Sequence, residues 1–213
     1  MDVDRTLLLS HDTPNPNGHR LFRATLGTLA SFFVLLLAST SASAATLDVV
    51  GGQLLGASGV VVGASSYNVK FLDGTCIALY SGCDSVGDFT FQTETAALLA
   101  SQALLDQVFL DDTGLFDTDP ELTNGCESVG LCRAFVPYGI EAGDSVLTSF
   151  TYNYWADGGR VDKVGLVSVV DAEDLSASTA SVYAVWTPVP EPGTAALMGL
   201  GLLGLSVRKR REV

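Results

Sequence analysis

The sequence predicts an α+β domain that consists mainly of antiparallel β-strands, as a meander or sandwich, with one principal helix at about residues 95–109. The helix follows from Leu98, Leu104 and Val108, which are apolar residues at helical spacing in a stretch without glycine or proline. The strands follow from four later segments that are rich in Val, Tyr, Phe and Thr and are separated by Gly, Asp and Ser: residues 133–140, 145–155, 161–170 and 181–186.

Each predicted element has its own boundary signals. Residues 67–72 alternate between apolar and polar side chains, as in a half-buried strand, and end at an Asp-Gly pair that is typical of a turn. Thr93 or Thr95 supplies an N-cap for the helix, and the Asp-Asp-Thr-Gly sequence at 111–114 ends it. Residues 164–170 are almost continuously apolar, which predicts a central strand covered on both faces, with the helix as a candidate cover.

The last 25 residues combine three parts in order: a short motif, an uncharged apolar segment and a tail with a cluster of basic residues. A helix of 15 residues spans about 22 Å, whereas a bilayer core is about 30 Å thick, so the apolar segment predicts a short transmembrane helix. The basic cluster favours a cytoplasmic C-terminus and lengthens the span by snorkelling. A plain membrane anchor is the alternative interpretation. The parts are the motif Val189-Pro190-Glu191-Pro192, the uncharged segment 193–207, and the tail 208–213 with Arg208, Lys209, Arg210 and Arg211.

These three parts resemble the C-terminal sorting signal of PEP-CTERM proteins. The resemblance covers residues 189–213 and implies a Gram-negative exporter. It implies a partner, an exosortase, which is a transpeptidase-like cysteine protease of the membrane that cleaves near the Pro-Glu-Pro motif. The chain is then anchored through its C-terminal helix before processing and reaches the cell surface or medium afterwards.

The same resemblance implies where the protein is located but not what activity it has. Because the sorting system accompanies exopolysaccharide production, it implies a place in the extracellular matrix, with exopolysaccharide as a further partner. Members share the tail while their exported domains differ. No activity is therefore carried over to the rest of the chain.

The N-terminal region predicts export independently. Two arginines precede an apolar run at 26–38, and Ala42 and Ala44 supply small residues at the cleavage positions. We expect a signal peptide with a short apolar helix at 1–44, removed after Ala44. Residues 45–188 then form one exported domain of 144 residues.

The exported segment is strongly acidic. It contains 19 Asp and Glu and four Lys and Arg, which gives a formal charge of −15, against −13 for the whole chain. A surface of this sign repels nucleic acid and anionic lipid. We therefore exclude nucleic-acid binding.

The four cysteines form two close pairs in sequence and fit an oxidising compartment. The short spacing favours bonds from Cys76 to Cys83 and from Cys126 to Cys132, although the sequence allows three connectivities. Each bond stabilises the fold by about 2–3 kcal/mol in the chain-entropy model. A metal site is the alternative, but neither C-x6-C nor C-x5-C matches a zinc site.

The exported domain lacks the side chains of most catalytic designs. Both histidines, His11 and His19, lie in the predicted signal peptide. Ser-His-Asp sites, Cys-His sites and His-ligated metals are thereby excluded, and no nucleotide or hydrolase motif is present. Carboxylate chemistry remains, so a small glycosidase is the enzymatic hypothesis. We expect no enzyme activity and no cofactor.

An acidic loop at 117–121 is a candidate calcium site. Its sequence, Asp-Thr-Asp-Pro-Glu, follows Asp111 and Asp112, and calcium prefers such oxygen ligands. The glycine of an EF-hand loop is missing, and Pro120 stiffens the position of a third ligand. A solvated acidic loop is the favoured interpretation, and no metal site is predicted.

Aromatic residues provide the remaining functional candidate. Tyr152, Tyr154 and Trp155 fall in one predicted strand and Tyr183 and Trp186 in another. Rings on one face form a candidate platform for sugar rings, although core packing is the favoured interpretation. The sequence thus predicts a surface-sorted structural or interaction protein. A carbohydrate-binding module that uses this strand face is the first alternative, and the glycosidase is the second.

Overall fold

A seven-stranded mixed β-sheet is the main feature of the structure. The computed structural model describes residues 44–155, 159–190, 193 and 199–200, which belong to one compact unit, 43–213. In space the strands follow the order β1-β2-β3-β7-β4-β5-β6. All neighbours are antiparallel except β4 and β7, which are parallel. The strands are β1 (Thr46–Val50), β2 (Gln53–Val62), β3 (Ser65–Leu72), β4 (Leu131–Glu141), β5 (Ser145–Tyr154), β6 (Lys163–Val170) and β7 (Ser181–Pro188).

Within residues 44–190 as described, two α-helices accompany the sheet: the short α1 (Cys76–Leu79) and the principal helix α2 (Glu94–Gln107). The hydroxyl of Thr93 accepts a hydrogen bond from the backbone N–H of Ala96 at 3.3 Å, which is an N-cap. The predicted helix at about 95–109 is thus confirmed. Four of its five buried side chains are small, so its backbone packs close to the sheet; they are Ala97, Ala100, Ser101 and Ala103, and the fifth is Leu104.

Buried polar side chains of β5 join the sheet to α2 and to the loop that follows α2. Ser149 Oγ donates to the backbone oxygen of Ala97 at 2.7 Å, and Thr151 Oγ1 donates to that of Ser101 at 2.8 Å. Asn153 Nδ2 donates to the backbone oxygen of Phe116 at 2.6 Å. We call Ser149, Thr151 and Asn153 the polar ladder. Because all three are fully buried, the helix position depends on hydrogen-bond geometry as well as on apolar packing.

The opposite side of the sheet, here called the outer face, has a second core. The segment that contains α1 covers the centre of this face with Tyr80 and Phe89. Tyr80 donates to the backbone oxygen of Ala184 at 3.1 Å, and its ring lies 5.8 Å from the ring of Tyr183. The sheet is therefore buried on both faces at β7.

The structure contains disulfides from Cys76 to Cys83 and from Cys126 to Cys132, the pairing that local spacing favours. The disulfide from Cys126 to Cys132 lies where β7 enters the sheet. The N–H groups of Glu127 and Ser128 both donate to the backbone oxygen of Thr179 at 2.7 Å. These two hydrogen bonds hold the start of β7 beside the start of β4, so that the two strands run in parallel.

The predicted arrangement of strands is wrong in two respects. There is one sheet rather than a sandwich, and the meander stops at β6. The connection from β6 to β7 is no hairpin, because it crosses the outer face, where the buried Leu175 donates its backbone N–H to Gly74 O at 3.0 Å. β7 therefore inserts between β3 and β4 instead of pairing with β6.

The prediction of a central strand at 164–170 is also wrong. β6 is an edge strand that pairs with β5, and within it Val169 alone is buried. A continuous run of Val and Leu has the same composition in a covered strand and in this exposed one, so composition alone does not distinguish them.

The hairpin of β1 and β2 was not predicted. The middle of β2 is Gly-Ala-Ser-Gly at residues 56–59, which has low β propensity. A turn signal is nevertheless present, because Gly51 and Gly52 both have positive φ angles, 63° and 87°. Two consecutive residues of this kind suit a tight hairpin turn.

Both predicted terminal helices fall largely outside the described residues. The signal peptide is described only at Ala44, and the segment 193–207 only at 193, 199 and 200. Within the part of the chain that the structure describes, no helix combines the length and apolarity needed to cross a membrane.

The polar ladder generates a stability prediction. Ser149 Oγ donates to Ala97 O, so Ser101 Oγ is the donor in the 2.7 Å bond between the two hydroxyls. Ser149→Ala removes the acceptor of Ser101 and is expected to lower the free energy of unfolding by about 1–3 kcal/mol in urea denaturation. The double variant Ser101→Ala/Ser149→Ala should cost less than the sum of the single variants.

Ser145→Ala is the matched control, since the Ser145 hydroxyl makes only a 3.5 Å contact with Gly143 O at the start of β5. It should change stability by less than about 0.5 kcal/mol. Equal losses in Ser145→Ala and Ser149→Ala would contradict a structural role for the ladder.

Candidate functional site

A row of aromatic side chains lies on the outer face of β5, beyond the segment that covers β7. Phe150, Tyr152 and Tyr154 alternate with the polar ladder and therefore point away from α2. The ring centroids of Phe150 and Tyr152 are 4.5 Å apart, and those of Tyr152 and Tyr154 are 5.3 Å apart with an angle of 25° between the planes. All three residues are half-buried, so the row is partly open to solvent.

A glycine on the neighbouring strand makes room for this row. Gly165 pairs with Phe150, and a Cβ atom at Gly165 would lie 2.5 Å from Cζ of the Phe150 ring. The ring thus occupies the space that a side chain of β6 would fill. Any larger residue at 165 would displace the ring.

Two cations flank the middle ring of the row. Arg133 on β4 and Lys163 on β6 both pair in register with Tyr152. Arg133 Cζ lies 4.6 Å and Lys163 Nζ 5.1 Å from the Tyr152 ring centroid, distances at which cation–π attraction operates. We call Arg133, Phe150, Tyr152, Tyr154 and Lys163 the tyrosine face.

An open cleft of about 410 Å³ adjoins the tyrosine face. It lies between the 128–131 segment and the side chains of Trp155 and Arg160. The backbone N–H of Trp155 donates to Gly130 O at 3.1 Å, and Arg160 Cζ lies 5.4 Å from the ring centroid of Tyr154. Arg160 thus contacts both the cleft and the aromatic row.

The structure separates the aromatic residues that the sequence grouped together. Tyr152 and Tyr154 share a face, whereas Trp155, with 39 % of its surface exposed, lines the adjoining cleft. Tyr183 and Trp186 are buried at 0 % and 3 % exposure and belong to the two cores. The prediction of core packing is therefore right for β7, whereas Tyr152 and Tyr154 on β5 are only half-buried.

Sequence reasoning missed the cations of the tyrosine face. Arg133 and Lys163 are 30 positions apart in the chain, and the pairing of β4, β5 and β6 brings them to one row. The predicted meander already made these three strands neighbours, so it contained the information needed to find the cations. An explicit strand register would have placed Arg133, Tyr152 and Lys163 side by side.

A carboxyl pair lies behind the end of the tyrosine face. Asp162 Oδ1 accepts the backbone N–H of Tyr154 at 2.7 Å, and the side chain of Asp162 is hydrogen-bonded to Asp117. Burial, this hydrogen bond and the charges of Asp162 and Asp111 raise the pKa of Asp117 to about 6. The two carboxyl groups thus share a proton at mildly acidic pH.

The candidate calcium loop is stabilised by its own side chains. Asp111 Oδ1 accepts the backbone N–H groups of Asp117 at 3.0 Å and of Thr118 at 3.1 Å, and Asp111 Oδ2 accepts the Thr118 hydroxyl. Burial raises the pKa of Asp111, but these hydrogen bonds outweigh it and the net shift is downward. Among the described residues, no group of three or more His, Cys, Asp or Glu side chains is arranged to hold a metal ion.

The C-terminal motif begins where the folded domain ends. Pro188, the last residue of β7, pairs with Tyr67 of β3, and the backbone N–H of Val189 donates to Ser66 O at 2.9 Å. Glu191, Pro192 and the basic cluster at 208–211 lie outside the described residues. The motif therefore follows directly from a central strand of the sheet.

Residues 188–211 match the family model of the PEP-CTERM protein-sorting motif. This match confirms the resemblance derived from the C-terminal residues. No curated protein and no solved structure matches the chain. The motif marks the chain as an exported protein that is anchored transiently in the membrane, processed by an exosortase and sorted towards the cell surface.

The carboxyl pair generates a pH prediction. The pKa of Asp117 is raised from 3.8 to about 6, so the folded state binds this proton more tightly than the unfolded state. The resulting stabilisation is complete below about pH 4 and is lost as the pH rises through 6. Allowing for solvent screening, we expect Asp117 to contribute a fall of about 1 kcal/mol in the free energy of unfolding between pH 4 and pH 7.

Asp117→Asn keeps the size of the side chain and removes the titration. Urea denaturation from pH 4 to pH 7 should therefore show a flatter profile for this variant than for the wild type. Asp112→Asn changes an exposed carboxylate of the same loop and is the control for net charge. Parallel profiles for wild type and Asp117→Asn would rule out the shared proton.

Proposed function

We propose that this chain is a non-enzymatic structural or interaction protein of the extracellular matrix, released from its membrane anchor by an exosortase-like enzyme. One observation carries the proposal: the sorting motif begins at the last residue of β7. The domain and its signal thus meet without an intervening linker. The whole described sheet comes before the motif in sequence, in the segment that we propose is exported.

The position of this junction suits release of an intact domain. β7 lies between β3 and β4, and its side chains Val182, Tyr183 and Ala184 are fully buried. A cut near Pro190 leaves every strand in place. A cut only a few residues earlier would remove Trp186 from the core, and the loss of so large a buried side chain costs about 3–5 kcal/mol.

A binding role rather than catalysis is supported by the side chains available. Residues 45–188 contain no histidine. The carboxyl pair of Asp117 and Asp162 is within hydrogen-bonding distance, whereas the two carboxyl groups of a retaining glycosidase stand about 5 Å apart. This pair suits proton sharing better than glycoside cleavage.

A specific observation favours a second candidate function, carbohydrate binding at the tyrosine face. Tyr152 and Tyr154 stay half-exposed, although the large rings of β7 are buried. Aromatic rings at a surface contact the apolar sides of sugars. Exopolysaccharide is the ligand that this candidate would meet at the cell surface.

The proposed processing predicts the mass of the mature protein. Protein recovered from the cell surface and the medium of its host should begin at Ala45 and end near Pro190. Under non-reducing conditions its intact mass should be four hydrogens below that of the reduced chain, because both disulfides are formed.

A variant in which Pro190, Glu191 and Pro192 are all replaced by Ala tests the motif itself. Its anchored form should accumulate in the membrane fraction with the basic cluster 208–211 retained. Wild-type protein that keeps this cluster would instead make the tail a permanent anchor and defeat the proposed release.

A further inference from the structure

The tyrosine face concentrates the few positive charges of the exported domain. Residues 45–188 contain four basic side chains against 19 acidic ones. Arg133 and Lys163 flank Tyr152, and Arg160 lies against Tyr154. The fourth, Lys70, is exposed on β3. Three of four cations thus lie within one patch of a domain whose formal charge is −15.

Within residues 44–155 and 159–190, these three cations form no ion pair with a carboxylate. Aromatic rings hold them instead, and Nε of Arg133 is buried without a hydrogen-bond partner. The carboxylate of Asp162, the chain neighbour of Lys163, is hydrogen-bonded to Tyr154 N–H and Asp117 and forms no ion pair with these cations, so their charge is available for an anion from outside.

The contacts around Tyr152 decide which part of the face a ligand can use. Its ring is flanked by Phe150, Tyr154, Arg133 and Lys163, all with centres within 5.3 Å of its centroid. Sugar stacking on a bare ring face is therefore restricted at Tyr152. Recognition through charge and hydrogen bonds fits the site better, with Trp155 as the exposed ring at the adjoining cleft.

The strand register sets the distance between the two flanking cations. Arg133 and Lys163 lie on β4 and β6 with β5 between them, and two strand spacings place their backbones about 9–10 Å apart. That separation suits acidic groups on different units of one polymer. Arg160 continues the positive row into the cleft.

We infer that the tyrosine face binds an acidic polysaccharide, whose uronic acid carboxylates are held by Arg133 and Lys163 while its sugar rings lie along Tyr154 and reach the cleft that Trp155 lines. This inference rests on the proposed role of the face in carbohydrate binding and adds the chemical class of the ligand. A guanidinium and an ammonium form charge-assisted hydrogen bonds with carboxylates.

The acidic remainder of the domain disfavours a polyanion of higher charge density. Duplex DNA has one negative charge per 1.7 Å of its axis, and the surrounding carboxylates would repel it. A uronic acid polymer has at most one charge per sugar. At physiological salt, screening over about 8 Å also limits repulsion from carboxylates outside the patch.

The test measures binding of the processed, disulfide-bonded protein to two immobilised polymers of equal length: polygalacturonate and its carboxyl-reduced, neutral counterpart. Arg133→Gln and Lys163→Gln each remove one charge of the face, and Lys70→Gln removes one charge elsewhere. We expect the first two to weaken polygalacturonate binding by about tenfold each, and Lys70→Gln to change it by less than twofold.

The outcomes separate the inference from the function on which it rests. Equal binding of both polymers, unaffected by Arg133→Gln and Lys163→Gln, would overturn anion recognition and leave carbohydrate binding standing. Binding of neither polymer would overturn both. Equal or tighter binding of oligothymidylate would show a general polyanion site and would also overturn the inference. Because Lys163 is exposed, Lys163→Gln tests the face even if Arg133→Gln is poorly folded.

Discussion

The alternation of side chains along β5 is the constraint on which the rest of the structure depends. Ser149, Thr151 and Asn153 point towards α2 and donate hydrogen bonds to backbone oxygens at 2.6–2.8 Å. The intervening residues must then point the other way, and they form the aromatic row. One strand therefore positions the helix and the candidate site together. A shift of the register by one residue would bury the rings beneath α2 and expose the polar ladder to solvent.

The C-terminal end of the domain links the folding of the sheet to the sorting motif. β7 is the last strand in sequence but lies near the centre of the sheet, where it joins the hairpins of β1–β3 to the meander of β4–β6. The fold is thus completed only when the residues immediately before the sorting motif have been incorporated. All seven described strands thus come before the sorting motif in sequence, apart from the residue Pro188 that β7 and the matched motif share. This division agrees with a tail that is discarded.

Sequence reasoning predicted the local features and missed those that depend on contacts between distant segments. The spacing of Leu98, Leu104 and Val108 and the cap at Thr93 were sufficient for α2, and the order of motif, apolar segment and basic cluster was sufficient for the sorting signal. The insertion of β7 depends on backbone bonds from 127 and 128 to Thr179, which involve no diagnostic side chain. For the tyrosine face, sequence reasoning predicted the rings, which share one strand. It missed the cations, because they come from the two neighbouring strands.

The most direct test of this account is a map of the ligand contacts by nuclear magnetic resonance. The processed protein, labelled with nitrogen-15, would be titrated with a short oligogalacturonate. We expect changes in amide chemical shift at Arg133, Tyr152 and Lys163 and around Trp155, with α2 and the β1–β2 hairpin unaffected. Changes confined to the hairpin, to α2 or to the 111–121 loop would contradict it, because the ligand would then bind away from the outer face of β5.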